Sequence, residues 1–296
     1  MTPVELGPVG IWTFALNLVP APESSELARH LEQLGYGALW IPDALTRDPL
    51  VSAALLLSAT SRLHVATGIA SIHGRDPATM AAGWHTVSEA FPDRFVLGLG
   101  VSHAPLVEGF FHREYSAPVA TMRDYLDRMD ASPFNAAGSP KPPRRVLAAL
   151  GPRMLALAAE KTDGAHTYLV TPEHTAFARE RLGPDKLLAP EQAVVLETDP
   201  AEARRIGRAH LAIYLSLPNY VNNLHRMGFT DADVADGGSD RLVDGIVAWG
   251  DLSSISTRVQ AHHDAGADHV ALQVLPRDPR QVPAEQWDAL AGALLR

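Results

Sequence analysis

The chain has 296 residues, of which 46% are apolar and 20% charged, with a formal net charge of −9 and no cysteine. This composition is typical of a globular protein, and we expect one domain over residues 1–296. The lack of cysteine excludes disulfides, thiolate metal sites and cysteine nucleophiles, and the negative charge argues against a nucleic-acid-binding protein. No apolar run approaches the roughly 18–20 residues that a membrane span needs, and Glu5 stands where a secretory signal would be basic. We therefore expect a cytoplasmic protein that acts on a small molecule.

Strand and helix patterns alternate along the chain. Short apolar runs predict eight strands, at residues 9–15, 38–43, 62–69, 94–100, 146–150, 165–170, 192–197 and 268–275. Helical patterns follow each of them; the first has Ser24 or Ser25 as its expected N-cap, and the last runs to Arg296. The segment 199–250 is expected to be helical, with interruptions at Pro218 and Gly228.

This order of elements predicts a (β/α)8 barrel, because eight βα units in about 250–300 residues are typical of that fold. The strands are continuously apolar, as in parallel sheets that are buried on both faces. A doubly wound open sheet is the alternative. Its phosphate-binding fingerprint would have to be GLGVSH, which lacks the third glycine, and the acidic ribose partner is also missing.

Polar side chains follow the third and fourth predicted strands. Ser71, His73 and Arg75 come after one strand, and Ser102 and His103 come after the next. Parallel α/β proteins place their chemistry at the C-terminal ends of strands. The sequence therefore predicts a small-molecule site at this edge of the barrel.

Five segments resemble a known family, in the same order along the chain: GYGALWIPDA, ATGIASIHGRDPA, FPDRFVLGLGVSHAP, RVLAALGPRMLALAAEKTDGAH and GADHVALQVL. Through them the chain resembles the bacterial luciferase-like superfamily, and within it the coenzyme F420-dependent oxidoreductases. The resemblance implies a barrel that binds a flavin or deazaflavin at the strand C-termini, commonly as a homodimer. It also implies a non-proline cis peptide at Gly68–Ile69, which would back the cofactor ring.

The same resemblance suggests roles at two strand ends. Asp43 matches an aspartate that contacts the deazaflavin edge or the residues orienting it, although it could instead be an N-cap. Ala44 stands where the sugar-phosphate dehydrogenases of the family have a histidine, so their acid–base scheme does not transfer. His103 matches a glutamate that exchanges a proton with substrate. An imidazole can do this near neutral pH, and a structural histidine is the alternative.

Cofactor contacts are expected next to these positions. Ser102 precedes His103, and Gly151, Arg153 and Met154 open the helix after the fifth strand. Free N–H groups at a helix N-terminus favour an anion, and the resemblance implies the cofactor phosphate there. A plain helix start is the alternative.

Four residues are candidates for substrate contact. Trp12 could line the barrel mouth or only pack, and His73 could face substrate, whereas Arg75 is expected to support its loop. Thr171 and His174 match a threonine and a lysine that hold the substrate phosphate in sugar-phosphate members. Without the lysine, a phosphorylated substrate is in doubt, and Thr171 could be only a helix cap.

Taken together, these residues predict an oxidoreductase that moves a hydride between coenzyme F420 and an organic substrate. An FMN-dependent monooxygenase and a non-catalytic cofactor-binding barrel are the alternatives. A metal-dependent hydrolase would need clustered ligands. His262 and His263 are adjacent but lie on a helix with polar neighbours, so we expect them at the surface and expect no metal site. Arg144 and Arg145 are expected in a solvated loop.

Tyr214, Tyr220, Asn222 and Asn223 belong to the irregular late segment, which often covers the active site in the family. The sequence does not show which of them face inward.

Overall fold

The structure, a computed structural model, describes residues 5–295. Its strands form one parallel sheet. They are β1 (Val9–Trp12), β2 (Ala38–Ile41), β3 (His64–Thr67), β4 (Ala70–Ser71), β5 (Phe95–Gly100), β6 (Arg144–Ala148), β7 (Gly164–Thr167), β8 (Leu187–Val195), β9 (Ala248–Trp249) and β10 (Val270–Val274). The expected domain boundaries, 1 and 296, lie outside the described residues.

Eight of these strands close into a barrel. The sheet runs β1, β2, β3, β5, β6, β7, β8, and β10 then pairs with both β8 and β1. The short strands β4 and β9 pair with β5 and β8. The predicted (β/α)8 barrel is therefore confirmed. Strand β8 begins five residues before its predicted start at 192.

Helices surround the barrel, and most have a proline at their first or second position, where its missing N–H costs no hydrogen bond. They are α1 (Ala21–Leu34), α2 (Pro49–Ala59), α3 (Pro77–Ala90), α4 (Ala104–Gly109), α5 (Pro118–Asp130), α6 (Pro152–Lys161), α7 (Pro172–Leu182), α8 (Pro200–Tyr214), α9 (Pro218–Arg226), α10 (Asp231–Val234), α11 (Asp240–Ile246), α12 (Leu252–Asp264) and α13 (Ala284–Leu294). Helix α1 starts before the predicted Ser24 or Ser25 cap, since the Ser24 hydroxyl donates to the Leu16 carbonyl at 2.8 Å instead.

The barrel interior is packed with side chains from alternate strand positions, as in other barrels of this type. Its apolar members include Trp12, Trp40, Ala66, Val96, Val146, Ala189 and Ala271. A larger apolar cluster fills the space between the barrel and the helices. The barrel is therefore a solid platform, and ligands have room only at its rim.

The peptide bond Gly68–Ile69 is cis, which confirms the prediction. It lies between β3 and β4. The Trp12 Nε1 group donates a hydrogen bond to the Gly68 carbonyl at 2.9 Å. A Cβ atom at Gly68 would lie 2.5 Å from that same Nε1 atom, so the close approach requires glycine.

Two predictions about polar residues are wrong. Arg144 and Arg145 lie in β6 and are buried, because Asp163 and Asp130 pair with them at 3.0 and 2.6 Å. His262 is fully buried rather than at the surface. It shares the inner face of α12 with Ile255 and Val259, and its ring is hydrogen-bonded to Thr175 and Gln192.

Within residues 5–295, no helix combines the length and apolar character that crossing a membrane requires. The same residues contain no group of three or more His, Asp or Glu side chains placed to hold a metal ion.

Candidate functional site at the barrel rim

A cavity of about 580 Å³ opens at the C-terminal ends of β5, β6 and β7. Gly100, Ala148 and Tyr168 lie on its wall at these three strand ends, and Ile69 of the cis peptide contributes a fourth side. Small-molecule sites have volumes of roughly 300–1,000 Å³ and favour this face of a barrel. The cavity therefore has the size and location of a ligand site.

Helix α9 supplies one wall of the cavity. Asn219, Tyr220, Asn222 and Arg226 line it, so this part of the late segment faces the rim. Tyr214 lies behind the wall and hydrogen-bonds to Tyr168, at 2.7 Å between the two hydroxyl oxygens. Asn223 is buried, and neither polar atom of its side chain has a hydrogen-bond partner among the described residues.

His103 stands at the N-cap position of α4 and lines the cavity. Its Nδ1 atom is buried and has no hydrogen-bond partner among residues 5–295. Burial lowers the pKa of the imidazole, although a side-chain hydrogen bond with Asn219 acts in the opposite direction. The ring is therefore mainly neutral at pH 7, and the hydrogen-bonding capacity of its Nδ1 atom is unused.

Helix α6 begins at the same cavity. Gly151 is its N-cap, and Gly151, Pro152, Arg153 and Met154 all line the wall, as does Ser102 at the end of β5. The N–H groups of a first helical turn lack partners within the helix. The predicted cofactor-contact residues Ile69, Ser102, Gly151, Arg153 and Met154 are thus brought together.

Two arginines lie at this end of the cavity. Arg226 was missed by sequence reasoning; its Nη1 atom would lie 3.7 Å from a Cβ atom added at Gly151. Arg153 and Arg226 are both exposed, and within residues 5–295 neither guanidinium forms an ion pair. Two unpaired cations beside a helix N-terminus create an environment that favours an anion.

Asp43 does not line the cavity. Its Oδ2 atom accepts a hydrogen bond from the Ser71 N–H at 3.2 Å and lies 3.6 Å from Arg75 Nη1. Burial raises the pKa of Asp43, while the Ser71 hydrogen bond and Arg75 act to lower it. Asp48, rather than Asp43, is the N-cap of α2. Asp43 and Arg75 therefore hold the loop that follows β4.

Trp12 and His73 also lie outside the cavity wall. Trp12 is buried, and its hydrogen bond to the Gly68 carbonyl supports the cis peptide from behind. His73 is buried, and burial lowers its pKa. Neither residue lines the cavity in this structure, so the contacts with substrate expected of them stay predictions.

Thr171 and His174 also lie outside the cavity wall. The Thr171 hydroxyl accepts from the His174 N–H at 3.4 Å, so Thr171 caps helix α7. The His174 Nε2 atom donates to the Leu150 carbonyl at 2.9 Å, and only 4% of this residue is exposed. Neither residue lines the cavity, and the predicted contact of this pair with substrate stays a prediction.

Sequence reasoning missed two cavity residues on and after β7. His166 stacks on Trp40 with ring centroids 4.4 Å apart, and its Nδ1 atom donates to the Ala189 carbonyl at 2.7 Å. Burial lowers its pKa to about 4, so the ring is neutral. The Tyr168 hydroxyl donates to Gln273 Oε1 at 2.7 Å. The two residues are two positions apart on a strand, a spacing that places both side chains on one face.

Comparisons with known proteins agree with this architecture. Residues 10–269 match the family model described as luciferase-like monooxygenase. The Mycobacterium tuberculosis protein Rv3520c, provisionally named as a coenzyme F420-dependent oxidoreductase, is 26% identical over 83% of this chain and 89% of its own length.

Solved structures show the same fold. An F420-dependent secondary alcohol dehydrogenase, solved with an F420-acetone adduct, has a TM-score of 0.77 at 14% identity, covering 99% of this chain and 98% of its own. The oxygenating component of 3,6-diketocamphane monooxygenase from Pseudomonas putida, a type II Baeyer-Villiger monooxygenase in complex with FMN, has a TM-score of 0.71 at 16% identity, covering 96% and 95%. Because the family model spans most of the sequence, the chain belongs to the luciferase-like monooxygenase family.

Proposed function

We propose that the protein is an oxidoreductase that transfers a hydride between the deazaflavin coenzyme F420 and a small organic substrate. The sequence relative named for this coenzyme covers most of the chain. A flavin coenzyme is the alternative, since a solved structure of the same fold holds FMN.

The residues at the cavity fit such a coenzyme. Ile69 and Tyr168 offer apolar surface for a planar ring, while Arg153, Arg226 and the start of α6 offer positive charge for a phosphate. Gly151 has no side chain to cover the helix N-terminus, and the Arg226 guanidinium lies close to it. The ring and phosphate contacts lie on one continuous wall.

The coenzyme would supply the carbon that takes up or releases the hydride. The protein would bind it, orient it, and hold the proton that accompanies the hydride. His103 suits that proton, since its buried Nδ1 atom has no partner and its ring is neutral at pH 7. When a substrate hydroxyl is oxidised, the neutral imidazole accepts the hydroxyl proton; in the reverse direction it returns the proton to the carbonyl oxygen.

One observation carries the proposal: His103, whose Nδ1 atom has no hydrogen-bond partner among the described residues, and the cation-flanked start of α6 line the same cavity. A group for proton exchange and a site for an anionic cofactor tail are thereby combined. The remaining walls, which include Tyr115, Asn219 and Tyr220, would enclose the substrate.

The test is a titration of the purified protein with F420 and, separately, with FMN, followed by ligand fluorescence. We expect saturable F420 binding that is at least about tenfold tighter than FMN binding, a difference of about 1.4 kcal/mol. Tighter binding of FMN would favour the monooxygenase alternative. If F420 binds but its absorbance never changes with a panel of alcohols and ketones, a non-catalytic carrier becomes the better account.

We also propose that the protein acts as a homodimer in the cytoplasm, with helix α2 in the interface. Val51 and Leu55 are one helical turn apart on α2 and are 58% and 46% exposed. Adjacent exposed apolar side chains often mark an interface. Light scattering should find a dimer for the natural protein and a monomer for the double variant Val51→Glu, Leu55→Glu. Ile213→Glu, at an exposed apolar position on α8, is the control and should remain dimeric. A natural protein that is monomeric would exclude this interface.

A further inference from the structure

Glu191 is a carboxyl group buried inside the barrel, next to the cavity wall. It lies on β8 with no exposed surface, and it shares its strand face with the interior residues Leu187 and Ala189. Its Oε2 atom accepts a hydrogen bond from the Leu169 N–H at 3.2 Å, and its Oε1 atom has no partner among the described residues. A buried carboxyl at such a position calls for an explanation, because burying a polar group costs free energy unless the group is hydrogen-bonded.

The hydrogen bond fixes the backbone at the turn that follows β7. Leu169 follows the end of β7 and has a left-handed backbone, with φ of 54°. A bulky residue rarely adopts that conformation, and a buried N–H needs an acceptor. Leu169 is 3% exposed, so Glu191 supplies the acceptor that lets the chain turn at this point.

The residue just before this turn is Tyr168 of the cavity wall. Its hydroxyl is held at one end by Gln273 and Tyr214. Its ring also lies against Trp12, with centroids 5.4 Å apart. The backbone of Tyr168 is fixed on one side by β7, whose last residue Thr167 pairs with Pro190 of β8, and on the other side by the turn that Glu191 holds. Both ends must be held if the ring is to present one fixed face to the cavity.

We propose that Glu191 is a positioning residue for coenzyme binding: it fixes the turn after β7 so that the Tyr168 ring lies against the bound coenzyme. This inference rests on the proposed function in that it takes the cavity to hold the coenzyme. Glu191 acts through Leu169 and Tyr168 and touches no ligand itself.

The electrostatic surroundings agree with this role. Burial raises the pKa of Glu191 to about 8, so the carboxyl is uncharged at neutral pH. The titratable groups that face it are Tyr168, Tyr214 and Tyr220, and burial raises the pKa of each of them as well. The wall behind the cavity is therefore uncharged at pH 7. Above about pH 8, an ionised Glu191 would oppose an anionic ligand.

The first test is amide hydrogen exchange, which needs no ligand. Glu191→Leu removes the acceptor at similar volume, whereas Glu191→Gln keeps an Oε1 acceptor. We expect exchange at Leu169 to accelerate about tenfold in Glu191→Leu and to change by less than about threefold in Glu191→Gln, as one hydrogen bond allows. Glu197→Gln, at a half-buried position just beyond β8 where the carboxylate pairs with Arg277, is the control. Unchanged protection of Leu169 in Glu191→Leu would overturn the proposal.

The second test is a double-mutant cycle on F420 affinity. If Glu191 acts through Tyr168, Glu191→Leu should weaken binding about five- to tenfold in the natural protein and have no further effect in Tyr168→Leu, because coupled residues are non-additive. Additive losses would refute the link between the two residues. If the natural protein binds neither F420 nor FMN, the proposed function fails, while the exchange result still decides whether Glu191 holds the turn.

Glu191→Ala replaces Glu191→Leu in both tests if the leucine variant does not fold, because it also removes the acceptor. We expect the same acceleration of exchange at Leu169, and unchanged protection would again overturn the proposal.

Discussion

The two halves of the barrel rim carry similar polar residues but use them differently. In the first half, after β1 to β4, the polar groups have partners within the protein. Asp43 accepts a hydrogen bond from the Ser71 N–H and pairs with Arg75, and Trp12 donates to the Gly68 carbonyl. In the second half, after β5 to β7, His103 and the start of α6 face a cavity, and His103 Nδ1 has no partner. Position at a strand end is therefore a weak guide to function. A position on the wall of an open cavity is a stronger one.

The largest difference between the halves should appear in turnover. We expect His103→Ala to lower turnover by about 10²–10⁴-fold, because the general acid–base group is lost, with F420 affinity changed by less than about twofold. The measurement is steady-state kinetics with any substrate that the natural protein converts. His73→Ala is the matched control from the first half and should reduce stability rather than turnover. Equal turnover losses in the two variants would remove the distinction.

The same residue sets a pH dependence. The pKa of His103 is lowered by burial, so its ring stays neutral down to a pH below the usual 6.5. Oxidation of a substrate hydroxyl needs the neutral ring. We expect the rate to be constant from pH 8 to 6.5 and to fall only under more acidic conditions. A decline that begins above pH 6.5 would argue against this environment.

Loss of an arginine should change F420 affinity in one half of the rim and not in the other, by a smaller factor than the change in turnover. Arg226→Ala should weaken F420 affinity about tenfold, because a charge-assisted contact is lost. Added salt should reduce that difference, since both arginines of the cavity are exposed. Arg75→Ala, which removes a guanidinium already paired with Asp48 and Asp43, should leave the affinity unchanged. Calorimetric titration of both variants would measure this, and a larger effect at Arg75 would reverse the assignment.

The sequence predicted the barrel well, because strand and helix periodicity is a local property. It also identified His103, Ser102 and the start of α6, whose positions follow from strand ends. It could not decide whether Thr171 and His174 bind substrate or only begin a helix, because hydrogen-bond partners such as the Leu150 carbonyl depend on tertiary packing. Arg226 and Tyr220 lie on a late helix whose orientation no local pattern specifies. Glu191 was missed because the predicted strand began at residue 192, one residue after it, whereas β8 begins at Leu187.

Glu191 offers a further contrast through stability. Its folded pKa of about 8 lies above the ordinary 4.5, so protonation of this carboxyl contributes to stability; that contribution is fully present below pH 4.5 and is lost as the pH rises through 8. We expect Glu191→Gln to have a higher Tm than the natural protein at pH 8.5 and a smaller advantage at pH 5. Each kcal/mol would correspond to roughly 2–4 °C. A constant difference across this range would show that Glu191 does not titrate there.

The smallest effect concerns Trp12 in the first half. Trp12→Phe keeps the ring but removes the donor to the Gly68 carbonyl. We expect a loss of about 1 kcal/mol in the free energy of unfolding, as one buried hydrogen bond provides, measured by urea denaturation. Turnover should be nearly unchanged if Trp12 only supports the rim. A large loss of turnover with normal stability would restore its predicted contact with substrate.

A crystal structure with F420 bound would test the central claim most directly. We expect the ring to lie against Ile69 and Tyr168, with His103 on the side that the substrate occupies and the phosphate at the N–H groups of α6 and beside Arg226. A ring placed instead against Asp43 and His73, in the first half of the rim, would contradict the account.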